Sequence, residues 1–449
     1  MKEFTYRKIF LLAAPLMVGT FVQSIVTFTD AIFVSNLGEI NIGAFGNGSL
    51  LYVALFMFSR GLADGTQIII ARLNGEENYS AIGKAFINAQ VYHIFISLIL
   101  FSFLQLFAHK ITASISESPA VASAMNDFLS IRGFGLFFAA QHMALVGFFM
   151  GLGKTRVILY SVLLIATSNI FLDNVLINGN ELIAPMGLKG APLASTISEA
   201  LGFIYLFIYL LIKPSLKKFN YNFDRTKIRL KEYLHVLKLS FPLMLQGVFS
   251  LSTWLVFFTL VEHMGTSALE TAHNIRYMYF LAFVPIFGFA ASTKTIVSTL
   301  VGQGNQLDIP KVQSRIILLI LIFMVTIFHG AILYPETLIR LIDQNPSIAP
   351  QVMADSTFIL QFISGSIIIY AITVVFFNSI SGVGKTQISF FIEVIAIILY
   401  LTGCYFFFIH WNWNIRQVWW VEYIYFGSMG ICSFAYFKFY HNKYHINAT

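Results

Sequence analysis

The 449-residue chain has the composition of an integral membrane protein. Hydrophobic residues make up 57% of it and charged residues only 11%, whereas a soluble domain carries about 25% charged residues. The net charge of +7 comes from side chains dispersed among apolar runs, so it indicates membrane topology rather than a nucleic-acid partner. A soluble globular domain and a nucleic-acid-binding protein are therefore excluded.

Twelve apolar segments follow one another along the chain, each long enough for a transmembrane helix. None shows the alternation of a β-strand. The segments of the first half are 8–35, 43–71, 85–108, 120–150, 156–178 and 190–212, and those of the second half are 234–261, 269–300, 314–335, 351–380, 388–409 and 417–437. The predicted fold class is an all-α polytopic membrane protein with twelve transmembrane helices.

The two halves of the chain repeat one another. Without a gap, one constant spacing pairs Pro15 with Pro242 and Gly61 with Gly288. Proline and glycine fix backbone geometry at bends and turns, so matches at these residues indicate a shared backbone. Because each half has six spans, the copies have the same orientation. We expect two six-helix lobes related by a pseudo-two-fold axis along the membrane normal.

A polar stretch separates the two sets of spans and sets their orientation. The predicted division is an N-lobe at 1–213, a cytoplasmic linker at 214–232 and a C-lobe at 233–449. The linker region is rich in basic residues, namely Lys217, Lys218, Arg225, Lys227, Arg229 and Lys231. The positive-inside rule places this linker and both termini in the cytoplasm. We expect a multi-pass protein of the plasma (inner) membrane.

Two carboxylates lie inside predicted spans of the first half. Asp30 is late in the first span, and Asp173 is in the fifth span, four residues after Asn169 and on the same helical face. Ser195, early in the sixth span, is a candidate third contributor. A desolvated carboxylate can take a proton, and with amide and hydroxyl oxygens it can equally hold a hard cation such as Na⁺. The alternative, that these groups only bond neighbouring helices, stays open.

Three further charged residues lie within apolar stretches of the second half. They are Lys294, Glu393 and Glu422, and no charge nearby in sequence neutralises them. Polar groups in such positions face a cavity or one another. Lys294 could pair across helices with Glu393 or Glu422, and the role of all three is left open.

Neither an enzyme nor a nucleotide-binding site is indicated. The chain carries Gly-x-Gly-Lys-Thr at 151–155 and again at 382–386. A phosphate-binding loop needs a glycine five residues before the Gly-Lys pair, where this chain has Phe148 and Ser379. We interpret both runs as cytoplasmic turns. The two cysteines lack metal-ligand spacing, and no cofactor is expected.

Several of these features together resemble the multidrug and toxic compound extrusion (MATE) transporters. They are the twelve spans, the Ala-Pro-Leu-Met opening at 14–17, the paired Gly-x-Gly-Lys-Thr turns, and the run from Gly187 to Ala194 that opens the sixth span. The resemblance implies two six-helix lobes around a central cavity and an alternating-access cycle. It also implies export of organic cations and other drugs in exchange for H⁺ or Na⁺.

The resemblance also assigns roles to residues. In the DinF-like branch the coupling site is an Asp in the first helix, an Asn and an Asp in the fifth, and a Thr in the sixth. Asp30, Asn169 and Asp173 match these, and Ser195 stands in the Thr position. Pro15 is implied to let the first helix bend, although a proline near a helix start is otherwise only a good N-terminal residue.

The expected function is therefore a cation-coupled antiporter that exports amphipathic, cationic small molecules and works as a monomer among membrane lipids. The alternative is a flippase for lipid-linked oligosaccharide, since a related superfamily shares the lobe architecture. Polyanionic headgroups would favour a cavity rich in Arg and Lys, whereas the best-placed polar groups here are acidic. Lys294 is the feature that supports the flippase alternative.

Overall fold

The computed structural model of the chain describes residues 4–116, 118–221, 230–342 and 348–448. Within these ranges the chain is helical, with short turns and single 3₁₀ or π turns between helices, and no β-strand occurs in them. The central part of the predicted linker, residues 222–229 with Arg225, Lys227 and Arg229, lies outside the described residues, as does the side chain of Lys231.

Long helices fill both halves of the chain. The first half contains α1 (Tyr6–Ser35), α2 (Glu39–Gly75), α3 (Tyr79–Ile115), α4 (Pro119–Gly151), α5 (Thr155–Asn178) and α6 (Gly190–Ile212). The second half contains α7 (Leu230–Glu262), α8 (Thr266–Gly302), α9 (Ile309–Phe328), α10 (Gly330–Leu333), α11 (Pro335–Ile342), α12 (Pro350–Gly382), α13 (Thr386–Cys404), α14 (Ile415–Val418) and α15 (Trp420–Ala448). In the described residues, eleven helical segments are long and apolar enough to cross a membrane. The 29-residue α15 follows them.

The helices differ from the predicted segments mainly at their ends. The ninth predicted segment, 314–335, is not one helix, because α9 ends at Phe328 and two short helices follow. Pro335 begins the second of these short helices, and a proline cannot donate the backbone hydrogen bond that would continue the preceding one. The two Gly-x-Gly-Lys-Thr runs are turns, as predicted, with Gly153 and Gly384 at φ of +68° and +86°, the region that favours glycine.

The chain forms two compact units. Unit 1 comprises Met1–Met17 and Phe249–Thr449, and unit 2 comprises Val18–Val248. Helix α1 therefore passes from unit 1 to unit 2 after Met17, and α7 passes from unit 2 to unit 1 after Val248. The predicted lobes at 1–213 and 233–449 are defined by the sequence repeat rather than by contacts, and they stay a prediction.

One central helix organises each unit. In unit 2, α4 packs against α2, α3 and α6, and in unit 1, α12 packs against α8 and α15. Close contact depends on glycine in both units. A Cβ on Gly147 of α4 would lie 2.6 Å from the carbonyl oxygen of Ala63 in α2, and a Cβ on Gly382 of α12 would lie 2.9 Å from Cβ of Val297 in α8. Small residues let transmembrane helices approach in this way.

Candidate functional site

The predicted site residues of α5 and α6 lie together in unit 2. Gly190, the first residue of α6, packs so closely on α5 that a Cβ there would lie 2.7 Å from the carbonyl carbon of Leu176. This crossing brings the two helices' polar residues together. The Nδ2 group of Asn169 donates a hydrogen bond of 3.4 Å to Oγ of Ser195, and both Asn169 and Asp173 are fully buried.

The carboxyl group of Asp30 completes this cluster. Asp30 belongs to the part of α1 that lies in unit 2, and its side chain is within hydrogen-bonding reach of Asp173. Two carboxylates can form such a bond only if one of them holds a proton, because an ionised carboxylate has acceptors and no donor. The structure therefore brings together all four residues that the sequence predicts for cation coupling.

Four oxygens of this cluster are buried and receive no hydrogen bond from the protein. They are Oδ1 of Asp30, Oδ1 of Asn169 and both carboxylate oxygens of Asp173. Buried polar atoms in folded proteins almost always have a partner. Converging oxygens without donors are the arrangement that a proton or a small hard cation would satisfy.

A second group of charges lies beside this acidic cluster. Arg132 of α4 donates two hydrogen bonds to Glu199 of α6, from Nη1 to Oε2 at 2.7 Å and from Nη2 to Oε1 at 2.6 Å. The guanidinium carbon lies 3.7 Å from the centre of the Tyr52 ring on α2, and the Tyr52 hydroxyl donates to Glu199 at 3.3 Å. Asp30 interacts electrostatically with both charges of the pair.

Sequence reasoning missed Arg132 and Glu199. Each is a charged residue in the middle of an apolar segment, and that signal could have found them. Gly135, on the next turn of α4, leaves room for the pair, because a Cβ there would collide with Nη1 of Arg132 in its present position. With a bidentate partner and an aromatic ring beneath it, the guanidinium is held in one place.

The three charged candidates of the second half lie in unit 1. Glu393 of α13 accepts a 2.6 Å hydrogen bond from Ser250 of α7 and a shorter one from Tyr425 of α15. Glu422 of α15 accepts from Tyr400 of α13 at 3.5 Å. Both carboxylates are only 2% exposed.

The third charged candidate, Lys294, is also in unit 1. It lies on α8, and its backbone carbonyl is 3.2 Å from the position of a Cβ on Gly382. In the part of the chain that the structure describes, the recorded partners of Glu393 and Glu422 are hydroxyl groups and do not include Lys294.

A protein-family model described as MatE matches residues 15–175 and 242–406 of the chain. The chain belongs to the MatE family. The two matched ranges begin at Pro15 and Pro242, the first pair of the internal repeat, so each MatE copy corresponds to one half. The predicted family is confirmed, and the assignment to its DinF-like branch stays a prediction.

Relatives with similar sequences carry multidrug-resistance names. A probable multidrug resistance protein NorM of Agrobacterium fabrum is 23% identical over 305 residues, which is 67% of this chain and 64% of that protein. A protein of the same description from Thermotoga maritima is also 23% identical, over 75% of this chain and 72% of its own length. The match to the Agrobacterium protein thus spans less than two thirds of that protein.

Solved structures show the same fold over nearly the whole chain. One is the outward-facing conformation of a multidrug resistance MATE family transporter, with a TM-score of 0.89 at 18% identity, covering 98% of this chain and 96% of that one. Another is a MOP superfamily transporter from Pyrococcus furiosus, with a TM-score of 0.86 and coverage of 97% and 96%. The predicted fold class, twelve transmembrane helices in two six-helix lobes, is confirmed.

Proposed function

We propose that this protein is a secondary active antiporter, not an enzyme, that exports amphipathic, cationic small molecules in exchange for H⁺ or Na⁺ by alternating access. One observation carries the proposal. Buried oxygens of Asp30, Asn169 and Asp173 converge without a donor in unit 2, as a site for an exchangeable cation requires. The multidrug-resistance names of the relatives support small-molecule substrates of the drug class.

The cluster suits either coupling ion. A proton shared between Asp30 and Asp173 would remove one of two facing negative charges and supply the missing donor. A sodium ion would instead take oxygens from both carboxylates, from the amide of Asn169 and from the hydroxyl of Ser195, which are hard ligands of the kind that such cations prefer. In both cases the ion is a transported substrate, and the protein supplies the oxygens.

Helix α1 connects ion binding to movement in this proposal. Asp30 lies in the part of α1 that belongs to unit 2, whereas Pro15 lies two residues before the point where α1 leaves unit 1. Proline removes a backbone hydrogen bond from the helix interior and is a common cause of bending. An ion that binds Asp30 more tightly in one arrangement of α1 shifts the population toward it.

The basic residues support the proposed orientation in the plasma (inner) membrane. Lys154 lies in the turn between α4 and α5. Burial and the nearby charges of Lys213 and Lys218 lower the pKa of Lys154, so the three lysines form one basic cluster. Such clusters face the cytoplasm, and this one includes Lys218 of the predicted linker, which supports cytoplasmic termini.

Dye efflux from cells tests the proposal when the sodium gradient and the proton gradient are collapsed separately. We expect wild-type cells to lose cationic dye in a way that depends on one gradient, and Asp30→Asn to abolish this dependence. Asp127→Asn is the matched control, because Asp127 lies in the same unit in an exposed pair with Lys189. Efflux by Asp30→Asn equal to wild type would refute the proposed site. A complete lack of gradient-dependent efflux of several dyes would favour the flippase.

A further inference from the structure

A second set of buried acids, in unit 1, is not used by the coupling site. We infer that Glu393 and Glu422 form a proton-binding site of their own, separate from Asp30 and Asp173. This inference concerns proton occupancy of unit 1 and does not depend on what the protein transports.

The first acid of this site, Glu393, is surrounded by neutral donors. The hydroxyls of Ser250 and Tyr425 both donate to its Oε1 atom, from α7 and α15 respectively. These two hydroxyls also lie 3.1 Å apart. Helices α7, α13 and α15 thus meet at one carboxyl group, and none of its recorded partners is positively charged.

The second acid, Glu422, has one carboxyl oxygen without a hydrogen-bond partner. Its Oε1 atom accepts from Tyr400, and the hydroxyl of Tyr279 on α8 lies beside it. Its Oε2 atom is buried and has no partner. A further ionisable neighbour is the thiol of Cys404, which carries no positive charge.

Among the described residues, no positive charge acts on either acid, and this decides what occupies the site. Ion pairs of the described residues include Arg132–Glu199, Lys189–Asp127, Arg340–Glu336 and Arg416–Asp355, whereas the side chains that act on Glu393 and Glu422 are hydroxyl groups. An ionised carboxylate buried without a cation is strongly disfavoured, and such a group is neutralised instead. A proton is the occupant that neutralises a carboxyl group without needing space or further ligands.

Two tyrosines connect the acids into one site. Tyr425 donates to Glu393 and Tyr400 donates to Glu422, and the centres of the two rings are 5.5 Å apart. Tyr370 of α12 is the other titratable group that acts on Tyr425. The tyrosine hydroxyls are neutral at physiological pH, so they provide no charge that could balance an ionised carboxylate. A proton bound at this site is therefore held by one of the two carboxyl groups.

The hydrogen bond from Ser250 joins the site to the first residues of α7 that belong to unit 1. Ser250 is the second residue of α7 in unit 1, directly after the helix leaves unit 2 at Val248. Loss of the proton from Glu393 would strengthen the hydrogen bond from Ser250, because bonds to an ionised acceptor are shorter and stronger. A change in the protonation of Glu393 therefore changes the strength of the hydrogen bond at this point of α7.

Infrared spectroscopy of the purified protein in liposomes tests the inference without any transport assay. Protonated buried carboxyl groups give a C=O stretching band that ionised surface carboxylates lack. We expect Glu422→Gln and Glu393→Gln each to reduce this band at neutral pH, and the double variant to reduce it by the sum of the two changes. Asp30→Asn should leave these two contributions in place.

Two further variants make the result decisive. Glu336→Gln is the matched control, since Glu336 is in the same unit in an exposed pair with Arg340, and it should leave the band unchanged. Tyr425→Phe keeps every carboxyl group but removes a donor from Glu393, so the band should shift in frequency and keep its area. If neither Gln variant reduces the band at neutral pH, or if only sodium alters it, the inference is wrong, whatever the result of the dye experiment.

Discussion

Arg132→Met is the substitution whose effect on stability follows most directly from the structure. It removes the guanidinium group while keeping an unbranched apolar side chain of similar length over the Tyr52 ring. Glu199 is then left without its cation, next to Asp30. Removing one partner of a buried ion pair costs about 3–5 kcal/mol, because the other charge stays buried and uncompensated.

The exposure of the pair sets the magnitude within this range. The side chains of Arg132 and Glu199 are 10% and 18% exposed, so solvent screens the remaining charge slightly, and we expect a loss at the lower end, about 3 kcal/mol. The double variant Arg132→Met/Glu199→Gln removes both charges. It should recover part of this loss, with a coupling free energy of about 1–3 kcal/mol.

Thermal denaturation of the detergent-solubilised protein, followed by size-exclusion chromatography, measures the effect. All variants must be heated at one rate, because such transitions are often irreversible. Lys189→Met is the control, since its pair with Asp127 is about half exposed and such pairs contribute about 1 kcal/mol or less. A double variant no more stable than Arg132→Met would refute the argument that the uncompensated charge of Glu199 causes the loss.

Three further substitutions test other parts of the site. Gly190→Ala should destabilise the protein by about 1–3 kcal/mol and weaken ion-dependent dye efflux, because the added methyl group separates α5 from α6. The melting temperature and the efflux rate should therefore fall together. An unchanged melting temperature would contradict the close packing. Tyr52→Phe should lower the free energy of unfolding by about 1.5 kcal/mol, because the hydrogen bond to Glu199 is lost. Tyr52→Leu should lower it further, because the ring under Arg132 is lost too. Equal melting temperatures of the two variants would show that the ring contributes nothing. Pro15→Ala should leave the protein folded but slow gradient-driven efflux, and full efflux rates would argue against a bend in α1.

The backbone was largely predictable from the sequence, for physical reasons. Membrane spans must be long and apolar, and glycines and prolines mark the same turns in both halves, so the twelve spans and the repeat were visible. The division of the ninth segment was not, because α9 ends at Phe328 in the middle of a continuous apolar run, several residues before Pro335. The passage of α1 and α7 from one compact unit to the other depends on tertiary contacts, and the repeat carries no signal for it.

The candidate site was only partly predictable. Asp30, Asn169 and Asp173 were found because each is polar within a span and two of them share one face of α5. The pairing of Arg132 with Glu199 joins residues 67 positions apart, and nothing local in the sequence indicates it. The hydroxyl partners of Glu393 and Glu422 were missed for the same reason, since tyrosine and serine are common in apolar spans.

The most direct test of the coupling site is uphill dye transport in proteoliposomes, with wild type and Asp30→Asn compared at equal amounts of inserted protein. The substitution keeps the size of the side chain and removes its exchangeable charge. We predict that an imposed proton or sodium gradient drives dye accumulation by the wild-type protein and not by Asp30→Asn. Equal gradient-driven accumulation by both proteins would contradict the account.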